Sequence, residues 1–463
     1  MKFKSIALLF LSLFLVSEVA AQRGRNSYPA LLARAKQANI YVDSILLPGN
    51  GEQNATFAIV FRFDNDFLPY KKINPGDEIK PQDGKEYFTS IRLNSEIFEG
   101  KYDRKNVNNI ATVNSDFWSD TVFVSTFEET QSKKRFVAGH LSTKLEEGEY
   151  NYLLQLGLGE SVSERNSSRE NLRVPDFTTK KTGEVYLVKK VSDISSGKNL
   201  LLTNQNDNVE FGKDFYALVR IPEYDASASY DVTINKTRVN RRDTTLNDEV
   251  YRNTIAKTDI YSGSYATLAK DQQPTITLNT SDGNHTYAIV KIPNSTFEND
   301  TYSLRVLKNG EKRPVARQVV RSFWADMPAS LFSLNISIDM LSYILDEERI
   351  KDLRKGNNAE KEKKLRAFWK AQDPTPNTVF NELMAEYYRR VDYAYENFSS
   401  LQVPGFDNDQ GILYIKQGPP DSINRQFPTN GQVLEIWDYG KERFVFEKTS
   451  GFGDFKLLTK TKI

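Results

Sequence analysis

The densest set of side chains able to do chemistry lies between residues 369 and 437. Glu382 and Glu386 stand four apart, and Arg389 and Arg390 follow Glu386 at three and four. On a helix those steps share a face. Two carboxylates on one face could act as general acid and base, provided that a cleft split their pKa values. The same spacing also builds an ion-pair network at the rim of a helix–sheet contact, and that is the reading the pattern favours. Asp373, Asp409 and Asp421 extend the acidic set, and Trp369, Phe406 and Trp437 add aromatic surface with or without a polar tip. Together these ten residues are the candidate binding set. Asp407, Asp409 and Gly411 hint at a calcium loop, but the ladder of oxygen ligands stops where Ile412 opens a strand-like run. A turn in which Asp409 caps nearby amides is the simpler expectation. No residue is assigned as catalytic, and neither metal nor cofactor is expected.

Elsewhere the chain mostly excludes. It has 463 residues with two His and no Cys, which removes disulfides, thiolate metal sites and cysteine nucleophiles. His140 falls in a strand pattern and His285 after a turn, in different regions, so no imidazole pair is expected. Lys181-Thr182-Gly183, Ser195-Ser196-Gly197-Lys198 and Ser281-Asp282-Gly283 look like fragments of a penicillin-binding signature. Their order is wrong, and the Ser-x-x-Lys piece sits in a polar turn, so they are read as coincidence. With 62 Lys and Arg against 61 Asp and Glu there is no basic excess for nucleic acid.

Several elements must position the candidate set. Residues 1–21 read as a secretory signal: Lys2 and Lys4, an apolar run over 6–16, then Val19-Ala20-Ala21. The run is too short to span a membrane, and no later stretch is apolar enough. Residues 22–38 are polar and basic, with a short helix expected over 29–37. Period-two patterns then mark two antiparallel β-sandwich modules of the Ig-like kind, 39–160 and 181–322, joined by a polar linker at 161–180. An acidic turn followed by Tyr and an alternating strand occurs in each, at Tyr150 and at Tyr302. From 330 to 463 the period becomes helical and then returns to strands. Thr375 is expected to cap a helix led by Pro376. That helix carries an apolar stripe at Phe380, Leu383, Met384, Tyr387, Val391, Ala394, Tyr395 and Phe398. Strands are expected at 412–416, 433–439, 443–447 and 455–459. The fold class is therefore mainly β with a C-terminal α+β domain, its helices packed on a small antiparallel sheet.

This last region resembles the bacterial GWxTD domain family. The match runs through Phe368-Trp369, Asp373-Pro374-Thr375-Pro376, Asn381-Glu382 and Glu386-Tyr387-Tyr388-Arg389-Arg390-Val391. It continues with Ala394, Phe398, Gly411, Tyr414-Ile415, Gly418-Pro419-Pro420-Asp421, Trp437 and residues 451–454. The naming pentapeptide is degraded to Gly405-Phe406-Asp407-Asn408-Asp409: Phe lacks the indole donor, and Asn replaces Thr. The resemblance implies an exported protein but supplies no activity. The expectation is a non-enzymatic interaction or scaffold protein of the cell envelope, periplasmic or at the surface. Its partner would be an envelope protein or a glycan. The alternatives are a carboxylate-based hydrolase and a carbohydrate-binding protein.

Overall fold

The computed structural model describes residues 27–463 except 38, 52–53, 75, 77–78, 80–82, 104–110, 160–164, 240–243, 271–272, 430 and 450–454. The expected export signal and the 451–454 piece lie outside the described residues. The described residues form two compact units, one within 39–325 and one combining 27–37 with 326–463.

The first unit holds both β modules. Strands Ile40–Pro48, Asn54–Asp64 and Phe136–Glu146 form one antiparallel sheet. It packs on a second sheet built around Tyr87–Glu99, Thr112–Val124 and Gly148–Leu158. Phe57, Ile59, Phe61 and Phe63 alternate along one strand and meet Ile91, Leu93, Leu154 and Leu156 between the sheets. The stretch expected as a linker is partly sheet. Glu170–Val174 pairs with Gly148–Leu158, and Leu172 and Val174 enter this core. Two apolar residues in so polar a run are too few to register as a strand pattern.

In the second module one layer closes on itself. Val185–Ile194, Gly197–Leu202, Thr275–Asn279, Ile260–Leu268, His285–Ile292 and Phe215–Arg220 make a six-stranded barrel. A five-stranded sheet containing Tyr230–Val239 and Thr301–Lys308 lies against it. Strand alternation feeds two cores: Ala217 and Val219 face the flat sheet, while Leu218 joins Val188, Leu200, Ile276, Leu278 and Tyr287. Leu47 and Val60 of the first module complete that second cluster, so the two modules share a core. The paired Tyr motifs adopt one geometry. Tyr150 donates to the Glu146 carbonyl at 3.3 Å, and Tyr302 donates to the Glu298 carbonyl at 2.9 Å.

The second unit opens with helix α1 (Tyr28–Ala35) and resumes with α2 (Leu334–Met340), α3 (Glu347–Arg354), α4 (Asn358–Lys370), α5 (Glu382–Phe398) and α6 (Asp409–Gln417). A four-stranded antiparallel sheet follows, in the order Ser422–Gln426, Leu434–Tyr439, Glu442–Lys448, Phe455–Lys462. The helical core joins Tyr28 and Leu31 to Ile338, Leu341, Trp369, Tyr388, Val391 and Phe406. The sheet places Trp437, Phe444 and Phe446 against Phe398 and Tyr414.

Three expectations are corrected here. Helix α5 starts at Glu382, not at Pro376, because Asn381 is its cap. Asn381 accepts the Met384 N–H at 2.8 Å and donates to the Trp369 carbonyl at 2.8 Å, tying two helices with one amide. Leu383 points outward at 45% exposure, whereas Tyr388, absent from the expected stripe, is fully buried. Residues 412–416 are helix, not strand. The run Ile412-Leu413-Tyr414-Ile415 suits either state by composition. Asn408 caps its start, and Gly418, with φ of 85°, follows its end. The first sheet strand is instead the polar Ser422–Gln426.

Candidate functional site

Four local arrangements occupy the candidate residues. The first is the pentapeptide, a joint between α5 and α6. Asn408 Oδ1 accepts the Gly411 N–H at 2.8 Å, and its amide donates to the Phe398 carbonyl. One side chain thus satisfies a free carbonyl at the end of α5 and a free N–H at the start of α6. A Cβ on Gly405 would run into the carbonyl of Ala394, and one on Gly411 into the carbonyl of Gly405. Both positions are therefore closed to any side chain. Phe406 is buried, with its ring centroid 5.0 Å from Tyr28 and 5.5 Å from Tyr395. Asp407 accepts the Tyr343 hydroxyl at 2.6 Å. Asp409 accepts the Leu457 N–H at 2.8 Å, beside the bulge at which the last strand carries one extra residue. The expectation that Asp409 caps nearby amides is corrected: it pins the final strand. The changes from Trp and Thr are mild because Phe fills an apolar slot and Asn caps a helix at least as well as Thr. Replacing Asn408 with Ala is expected to destabilise the second unit by roughly 1–2 kcal/mol. Thr at the same position should restore part of that loss, read as the urea midpoint of this unit.

The second arrangement is a hub on the core face of the sheet that residue patterning misses. Glu435 is 5% exposed. Its Oε1 accepts Gln410 Nε2 at 2.8 Å and Trp437 Nε1 at 2.8 Å, and its Oε2 accepts Arg425 Nε at 2.9 Å. Trp437 is therefore a fully buried anchor with a satisfied indole rather than a surface platform.

The third is the rim of α5. Glu386 accepts Arg390 Nε at 2.9 Å and lies 3.7 Å from Arg389, which in turn is 3.6 Å from Asp326. The Arg390 guanidinium covers the Cα of Gly418, so a Cβ there would meet it. Tyr439 donates to the Gly418 carbonyl at 2.8 Å. Burial first, and then Tyr414, raises the Tyr439 phenol above its ordinary range. Glu382 does not join Glu386: it accepts the Thr375 hydroxyl at 2.5 Å. Asp373 accepts the Thr375 N–H at 2.9 Å, and Asp421 accepts the Gly440 N–H at 2.6 Å. Trp369 is buried in the helical core against Phe368, Tyr387 and Tyr388. The acidic candidates thus serve local bonds, Asp373 and Glu382 meeting at Thr375 while Glu386, Asp409 and Asp421 are engaged elsewhere. Glu386→Gln is expected to lower the second unit's stability by no more than about 0.5 kcal/mol, because the pair is half exposed. A thermal melt checks this.

The fourth is Asp392, which sequence reasoning passed over. Its Oδ1 accepts the Tyr28 hydroxyl at 2.5 Å, and its Oδ2 accepts the Ala329 N–H at 2.7 Å. Burial, opposed by those hydrogen bonds, pushes its carboxyl up to about 6. Burial and the Asp392 charge drive the Tyr28 phenol far above the usual tyrosine range. The sequence carries no clear signal for it, because Tyr388, one helical turn earlier, also lies off the expected stripe.

Among the described residues no cluster of three or more His, Asp or Glu is arranged to hold a metal ion. His285 Nε2 lies 3.0 Å from the Gly49 carbonyl, and burial lowers its pKa. Among the described residues no helix is long and apolar enough to cross a membrane.

These features define a β-rich, two-unit chain that ends in an α+β domain built around a Gly–aromatic–x–cap–Asp joint. Residues 329–457 match the family model of the GWxTD domain, so the chain carries such a domain at its C-terminal end. No curated protein matches. Among solved structures the chain is similar to the type II cohesin dyad from the adaptor ScaA scaffoldin of Acetivibrio cellulolyticus. Identity is 11%, over 62% of this chain and 93% of that one, with a TM-score of 0.15. So loose a superposition carries no argument.

Proposed function

We propose that this protein is exported and acts as a non-enzymatic interaction or scaffold protein of the cell envelope, with an envelope protein or glycan as partner. The observation that carries the reading is the engagement of every acidic candidate in a local structural bond, with Asp373 and Glu382 both bound to Thr375. Asp373, Glu382, Asp409 and Asp421 each accept a bond from a backbone N–H or a hydroxyl, and Glu386 is held by arginines. A hydrolase of glycan or peptide needs two carboxylates in one pocket with separated roles. Apolar side chains on the two outer strands of the last sheet support a binding role: Ile423 on one edge, Leu457 and Leu458 on the other, all exposed. Unpaired strand edges with apolar side chains accept other chains readily. The four tryptophans are buried or half-buried, against the needs of a sugar-stacking row.

The test is fractionation of the native host, cross-linking in the intact envelope and reconstitution with the purified partner. The reading expects the chain in the envelope or medium. It also expects cross-links at Lys456, Lys460 or Lys462, and binding lost on Leu457→Asp with Leu458→Asp. A cytoplasmic chain would overturn it. So would turnover of an envelope glycan or peptide that Glu386→Gln abolishes.

A further inference from the structure

Helix α1 is remote in sequence from the domain that it completes. Tyr28 and Asp392 are 364 residues apart, yet they share the 2.5 Å hydrogen bond. The Tyr28 hydroxyl also lies 3.2 Å from Ser330 Oγ, and its ring centroid is 4.8 Å from Tyr395 and 5.0 Å from Phe406. Leu31 is 5% exposed, and Leu32 and Ala35 pack on the same core. The Arg34 guanidinium sits 4.4 Å over the Phe332 ring, and Lys36 Nζ is 3.0 Å from Glu396. Contacts at 28, 31, 32, 35 and 36 are the steps with which an amphipathic helix fills a groove. The groove is also chemically selective. Asp392 rewards a phenol at the first position, and Glu396 rewards a cation at the last. Pro29 presets the first turn. An eight-residue helix does not hold its shape alone in water, so this one is ordered by the groove.

We propose that the GWxTD domain carries a groove for an amphipathic helix led by Tyr-Pro, that residues 27–37 are its resident ligand, and that the same segment supplied in trans exchanges into it.

The test uses the whole chain with a protease recognition sequence inserted after Gln37. After cleavage the N-terminal fragment should remain bound through gel filtration. A synthetic peptide of residues 27–37 should displace it. The Tyr28→Phe peptide, which keeps the ring and loses the hydroxyl, should compete about tenfold less well. The Tyr28→Ala peptide should not compete. Release of the fragment on cleavage, with the domain's melting unchanged, would overturn the proposal. So would a fragment that no concentration of peptide displaces before the domain unfolds, because α1 would then be an integral core element. Equal competition by the Phe peptide would remove Asp392 as the recognition point.

Discussion

Glu435→Ala is expected to destabilise the second unit by about 3 kcal/mol and to lower its melting temperature by about 10 °C. The first unit should be unaffected. The change leaves two buried donors without an acceptor, the Gln410 amide and the Trp437 indole. Each such orphan costs roughly 1–3 kcal/mol. Arg425 adds less, because its side chain is 56% exposed and turns to water. That exposure places the total at the lower end of the range for breaking a buried pair. Glu435→Gln keeps one carbonyl acceptor and should cost about half as much. Calorimetry resolves the two units, and hydrogen exchange locates the loss in the strand Leu434–Tyr439 and in α6. A fall below about 1 kcal/mol for Ala would show that water takes over the orphaned donors, and the hub would lose its structural importance.

Glu435 also shows where a sequence stops being readable. Leu434-Glu435-Ile436-Trp437 alternates as a strand should, and by that pattern alone the charge marks the solvent face. The pairing puts Glu435 and Trp437 on the buried face instead, because Gln410 and Arg425 arrive from outside the strand. Period-two alternation finds strands such as Asn54–Asp64 and Glu442–Lys448, where one face is simply apolar. It assigns the faces wrongly where a polar network replaces apolar contact. The short helix at Asp409–Gln417 was hidden for another reason. Four apolar residues fit helix and strand alike, and the cap in which the Gly411 N–H donates to Asn408 Oδ1 decides between them. The apolar stripe of α5 was legible at Tyr387, Val391 and Ala394 because seventeen residues give the 3.6 period room to show. The docking of α1 was not legible at all. Nothing local in Tyr28-Pro29-Ala30-Leu31-Leu32 names a partner more than 300 residues away. Of the candidate set, the residues were found but their grouping was not. Spacing joined Glu382 to Glu386, whereas the structure gives each a different partner.

Stability of the second unit should fall as pH rises from about 4 to about 7, by about 3 kcal/mol attributable to Asp392. Burial raises this carboxyl from its ordinary 3.8 to about 6. A folded value above the unfolded one means that the native state holds the proton more tightly. The contribution is thus complete below about pH 4 and is lost as pH passes through about 6. Asp438, held low by its hydrogen bond from Arg443, acts in the opposite sense, so the comparison must be a difference. In Asp392→Asn the side chain no longer titrates. The stability gap between the native chain and this variant should therefore narrow in the native chain's disfavour as pH rises, and level off above about 7. The readout must be confined to this unit. Asp43 and Asp66 of the first unit, raised to about 7 and about 6 by burial, titrate over the same window. Hydrogen exchange of the amides in α5 and at 329–331 supplies that confinement. A gap that does not vary between pH 4 and 7 would mean that Tyr28 and the Ala329 N–H hold Asp392 ionised in the folded protein. The bond that anchors α1 would then be a full carboxylate–phenol contact at every pH in the range.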